Sequence, residues 1–270
     1  MHNLSYRIGF DAGAKQLEDA LNWASRNDLH FVDFNADVGP NRLDNWDPKR
    51  VNSIRQFCTV NDIHLGVHTL SGVNVAEFSP FMSLAVDEYL EANILLASRL
   101  SCEWVTVHAG YHFSTDEEAR VEASLERLKK ATEFAELNGQ RLLLENLNFE
   151  PNDAEVHYIG HNVPECRHYF DSIKSEAFGW AFTINHANLV PEGINGFTDA
   201  FGFDRIGCVR LADNQGDKEV HQIPGEGNID FADVFGHLES NGYDGHYTMA
   251  YGNDRDKVIS REWLVNQAST

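Results

Sequence analysis

Short apolar runs alternate with longer stretches of three- and four-residue hydrophobic period along the whole chain. Runs rich in β-branched and aromatic residues cover residues 6–11, 31–36, 64–70, 104–110, 141–147, 179–187, 206–213 and 247–251, and read as eight strands. Residues 14–26, 49–60, 81–99, 117–137, 164–174 and 231–240 repeat apolar positions at helical spacing, and 255–265 closes the sequence in the same way. In 117–137, Ala119, Ala123, Leu125, Leu128, Ala131 and Phe134 fill one helix face. Thr115 with Glu118 makes a capping-box signature at its start, and Gly139 a stop at its end. After the sixth strand only a short helix is expected, at 196–203.

Strict strand–helix alternation implies parallel pairing, and eight units in 270 residues fit a closed (β/α)8 TIM barrel spanning 1–270 as one domain. An open, doubly wound sheet is the alternative. Its nucleotide-binding form carries G-x-G-x-x-G after the first strand, where this chain has Asp11-Ala12-Gly13-Ala14. Gly225-Glu226-Gly227 before a helix is a lone glycine pair. No low-complexity tract, linker or repeat divides the chain.

Charge narrows the function further. Forty-two acidic against 21 basic residues give a net charge of −21, a field that repels phosphate backbones and anionic lipid. Nucleic acid and membrane are therefore excluded as partners. The four cysteines, Cys58, Cys102, Cys166 and Cys208, form no C-x-x-C and read as buried reduced thiols. The opening residues lack the apolar core of a leader peptide, and no run approaches a membrane span. A cytoplasmic location is the expectation.

Barrel enzymes place their chemistry at the carboxyl ends of the strands. There this chain has Asp33 and Asn35, then His68, then His108, then Glu145-Asn146, then Thr183, Asn185 and His186, then Arg210, Asp213 and Asn214. Strand eight ends uncharged in Met249-Ala250-Tyr251. So many polar groups aimed at one mouth are costly unless they are paired or used.

The motifs Val107-His108-Ala109-Gly110, Leu143-Leu144-Glu145-Asn146, Asn185-His186-Ala187 and Leu211-Ala212-Asp213-Asn214 arrive in that order. His221, Gly225-Glu226-Gly227-Asn228-Ile229-Asp230-Phe231 and Gly242-Tyr243-Asp244-Gly245 follow. Together they resemble the xylose-isomerase-like sugar isomerase/epimerase superfamily along nearly the whole chain. That resemblance implies one divalent metal held by glutamate, aspartate, histidine and glutamate on strands five to eight. Only Glu145 matches; Thr183, Arg210 and Ala250 stand at the other three positions. An arginine about 5 Å from a divalent ion costs roughly 6–7 kcal/mol at an effective dielectric near 20. The usual ion position is therefore expected to be empty of metal.

Two further groups, His68, His108 and Glu145, and His186, Glu219 and His221, resemble zinc-binding groups of the related endonuclease IV branch. The cofactor expectation is none or a single divalent metal (Mn, Zn or Mg), on Glu219, His186 and His221 if present. The resemblance implies proton transfer alpha to a carbonyl of a small polyhydroxylated, sugar-like substrate. Glu145, His186 and Arg210 are the catalytic candidates, with Glu145 as base. His68, His108, Asp213 and His221 are the substrate-binding ones. Arg210 is expected to turn inward and pair bidentately with Glu145. The alternatives are a displaced-metal dehydratase or lyase, and a non-catalytic relative that binds a sugar or a protein. A homo-oligomer is compatible with either.

Overall fold

A computed structural model describes residues 4–268. Met1, His2 and Asn3, on which the leader-peptide reading partly rests, lie outside the described residues.

Eight parallel strands close into a barrel: β1 (Ile8–Asp11), β2 (Phe31–Asn35), β3 (His64–His68), β4 (Trp104–Val107), β5 (Leu142–Glu145), β6 (Phe178–Thr183), β7 (Ile206–Leu211) and β8 (His246–Met249), with β8 pairing back onto β1. Each is followed by a helix: α1 (Leu17–Arg26), α2 (Pro48–Asn61), α3 (Pro80–Leu100), α4 (Glu117–Leu137), α5 (Val163–Ser172), α6 (Gly193–Phe201), α7 (Phe231–Ser240) and α8 (Asp254–Gln267). The expected fold is therefore observed, and the helix after strand six is short, as its sequence implied. No described helix is long and apolar enough to cross a membrane. All four cysteines are buried free thiols.

Several expected boundaries change for local reasons. The sixth strand stops at Thr183, and Ile184–Ala187 forms a helical turn that carries His186. Asn146 makes this stop: its Oδ1 accepts from Thr183 N and Trp180 Nε1, and its Nδ2 donates to Thr183 O. The Thr115–Glu118 capping box does not form. Asp116 stands at the N-cap, and its carboxylate accepts from Phe113 N and Arg120 Nε instead. Gly139 does take the left-handed stop, at φ 65°. A two-stranded antiparallel ribbon pairs Tyr111–Phe113 with Val156–Tyr158, from the segments after β4 and β5; strand ends alone gave no sign of it.

Inside the barrel, Trp104, Leu143, Ala181 and Cys208 form an apolar layer with Phe31 against it. Trp104 fits because position 66 is glycine: a Cβ there would lie 2.0 Å from the indole ring. Above this layer the lumen turns polar, with Asp33, Glu145, Thr183 and Arg210 all buried. That switch from apolar to charged along the barrel axis gathers the buried ionisable groups at the carboxyl end.

Candidate active site

Register aligns the polar layer. Asp11 pairs with Asp33 across β1 and β2, and Thr183 with Arg210 across β6 and β7. Period-2 alternation turns Arg210 inward, as expected, with only 3% of it exposed. Its partners differ from expectation. One terminal nitrogen donates to Asp33 Oδ2 at 2.5 Å and the other to Asp11 Oδ2 at 2.6 Å, while only Nε faces Glu145 Oε1, at 3.6 Å. The bidentate Arg210–Glu145 pair is therefore not formed. Two aspartates on neighbouring strands meet the guanidinium fork first, and Trp104 Nε1 fixes Asp33 from below at 2.7 Å. Asp11 belonged to no expected site residue; its place at the end of β1 was the available signal.

Glu145 presents different chemistry on each oxygen. Oε1 accepts from Thr183 Oγ1 at 2.6 Å beside Arg210, at the position where the sequence resemblance implied the family's ion. The donor set there is a hydroxyl and a guanidinium, so those residues do not fit a metal. Oε2 lies 3.2 Å from His68 Nε2 and 3.1 Å from His108 Nε2, and the two imidazole nitrogens are 3.0 Å apart. Burial would raise the Glu145 pKa, but Arg210 and the two histidines hold it well below the usual carboxylate range. Burial and Arg210 oppose protonation of His68, yet Asp11 and Glu145 prevail and lift it to about 9. Burial pushes His108 the other way, below its ordinary value.

The second triad faces the same cavity. Glu219 Oε1 lies 3.2 Å from His186 Nε2 and 2.7 Å from His221 Nε2. Both rings spend Nδ1–H on backbone carbonyls, His186 on Asn146 O at 2.8 Å and His221 on Ala250 O at 2.5 Å. Neutral rings in that tautomer would aim Nε2 lone pairs at a carboxylate. The arrangement is favourable only with protonated rings or with a cation among the three atoms. Ligand atoms around a tetrahedral zinc lie about 3.3 Å apart, close to these separations. This triad fits a divalent ion, as does the His68, His108 and Glu145 group. Burial opposes ionisation of Glu219, but bonds from His186 and His221 bring its pKa down to about 2. Its Oε2 is buried without a partner.

Both triads open on one cavity of about 490 Å³, lined also by Asn35, Asn148, Glu150 and Tyr158, within the range of small-molecule sites. Asp213, expected to bind a substrate hydroxyl, does not reach it. Asp213 is fully buried, and its carboxylate is taken by backbone N–H groups of its own loop.

The family model described as xylose isomerase-like TIM barrel matches residues 21–267. An uncharacterized protein of Methanocaldococcus jannaschii is 29% identical over 223 residues, covering 80% of this chain and 74% of its own. Among solved structures, a D-tagatose 3-epimerase-like protein superposes with a TM-score of 0.85 at 24% identity, covering 97% of both chains. D-psicose 3-epimerase from Clostridium cellulolyticum has a TM-score of 0.75 at 15% identity, covering 97% of this chain and 95% of its own. L-ribulose 3-epimerase reaches 0.76 at 16% identity, over 98% and 97%. At these identities the likeness to solved structures shows the fold.

Proposed function

Because the chain belongs to the xylose isomerase-like TIM barrel family, we propose that its mouth is the active site of a sugar isomerase/epimerase-like enzyme. The reaction moves a proton on the carbon next to a carbonyl of a small polyhydroxylated compound. What carries this reading is the convergence of two imidazole–carboxylate triads on one cavity. The epimerases among the structural relatives act in support.

His186, Glu219 and His221 would hold a single divalent ion, Zn²⁺ or Mn²⁺ suiting such donors best. Bound there, such an ion would supply positive charge that polarises a carbonyl. Asn146 O and Ala250 O keep both rings in the ligand tautomer. Proton movement falls to His68 and His108, whose environments push their pKa values apart. His108 takes the proton, and His68 returns one. Glu145, with both oxygens bonded and its basicity suppressed, orients the two rings rather than acting as the base. Arg210 holds Asp11, Asp33 and Glu145 in place.

The test is product formation by protein stripped with a chelator and reloaded with Zn²⁺ or Mn²⁺, supplied with free ketopentoses and ketohexoses. Chromatography should show an epimer or aldose from at least one sugar, and H108Q should lower kcat about 100-fold or more. A dehydrated product would move the assignment to the lyase class. No conversion of any sugar under either metal would refute the reading.

A further inference from the structure

We propose that the substrate of this site carries no phosphate group. The inference rests on the isomerase/epimerase reading and narrows its substrate class. Barrel enzymes frequently seat a substrate phosphate on backbone N–H groups of the loops after strands seven and eight, beside a helix N-terminus. This chain builds such a cradle in the loop between β7 and α7, and fills it with its own carboxylate. Asp213 Oδ1 accepts from Asn214 N at 2.9 Å and Ile229 N at 3.2 Å. Asp213 Oδ2 accepts from Gly225 N at 2.8 Å and Gly227 N at 2.9 Å. Gly227 must be glycine for this approach, since a Cβ would lie 2.1 Å from Asp213 Oδ1. The backbone of Asp213 also pairs in both directions with Gln222, so the carboxylate is fixed at two levels. At 0% exposure, Asp213 leaves no room for a second anion.

The cavity offers no substitute. Among the described residues Arg210 is the one guanidinium lining it and no lysine does so, and both terminal nitrogens of Arg210 are taken by Asp33 and Asp11. Asp11, Glu145, Glu150 and Glu219 line the same space. With Asp33 behind them, these carboxylates outweigh Arg210, a protonated His68 and one divalent ion together, and His68 already faces Asp11 and Glu145. The molecule's charge of −21 adds a repelling field outside. An uncharged ketose meets none of this. With both terminal nitrogens engaged, Arg210 is equally closed to a substrate carboxylate.

Two matched pairs test the proposal on Zn²⁺- or Mn²⁺-loaded protein in one buffer: D-fructose with D-fructose 6-phosphate, and D-ribulose with D-ribulose 5-phosphate. Binding of the esters and of inorganic phosphate is followed by ³¹P line broadening, and turnover of all four sugars by chromatography. The expected result is no saturable phosphate signal, with each ester bound and turned over at least roughly tenfold less well than its free sugar. Saturable binding or faster turnover of either ester overturns the inference. If no sugar is converted and no phosphate binds, exclusion of phosphate stands while the isomerase/epimerase reading falls. The variant D213A vacates the cradle, so inorganic phosphate should raise its Tm and leave that of the unmodified protein unchanged. A folded D213A indifferent to phosphate contradicts the cradle, and the wild-type titration decides the matter if D213A does not fold.

Discussion

A guanidinium buried in the middle of a barrel needs carboxylates around it, and Arg210 has Asp11, Asp33 and Glu145. Replacing it with methionine leaves buried carboxylates unpaired. R210M should lose roughly 3–5 kcal/mol in denaturant unfolding, and a loss under about 1 kcal/mol would show that the clamp is not structural. The inward turn of Arg210 was legible in the sequence, because Val209 and Leu211 flank it in a strand. Its partners were not legible, since Asp11 and Asp33 come from strands 199 and 177 positions earlier. His246 makes a second prediction at this scale. Burial pushes its pKa down to about 3 between the stacked rings of Phe31 and Trp104. The unfolded chain takes up that proton near pH 6.5, so between about pH 3 and about 6.5 it holds more protons than the folded one. Stability therefore rises with pH across that window and is lost as pH falls, by an amount on the order of 4 kcal/mol at its low end. Calorimetry of H246F should give a Tm that varies less between about pH 7 and about pH 4.5 than the parent's. Parallel curves would remove His246 from the acid response.

At the scale of elements, the pattern of apolar positions located every strand and helix of the barrel, because each element buries one face or both. What it missed is held by polar contacts rather than by periodicity. Asn146 ends β6 early, and Asp116 replaces the expected capping box. The two-stranded ribbon formed by the segments after β4 and β5 is pinned by Asn74, which accepts from Tyr111 N and donates to Tyr111 O. Both triads were nameable from sequence as groups. The tautomers that pre-set the second one depend on the carbonyls of Asn146 and Ala250, which only the folded chain brings near. Gly66 links packing to the site. A methyl there would collide with Trp104, whose indole holds Asp33 in the clamp. G66A should lose about 3 kcal/mol or more in chemical denaturation; a change within about 0.5 kcal/mol would mean that β3 and β4 can spread to admit it.

For the whole molecule, the excess of acidic residues sets the sign of the surrounding field. A charge of −21 on 270 residues repels itself in the folded state, and salt relieves that repulsion as the screening length falls from about 10 Å at 0.1 M to about 3 Å at 1 M. Tm should climb across that range of KCl, whereas a flat or falling Tm would show that the acidic surface carries little strain. The same field should prevent incision of an abasic duplex despite the two zinc-like triads, and catalytic cleavage of such DNA would reverse the choice between the family's branches. If this mouth moves a proton next to a carbonyl, hydrogen exchange reports it even when no net product accumulates. Metal-loaded protein in D₂O with a free ketose should erase the ¹H signal of one carbon-bound hydrogen adjacent to the carbonyl, and H108Q should slow that loss about 100-fold or more. Full retention of every such hydrogen, across free ketopentoses and ketohexoses with either Zn²⁺ or Mn²⁺, would contradict the account.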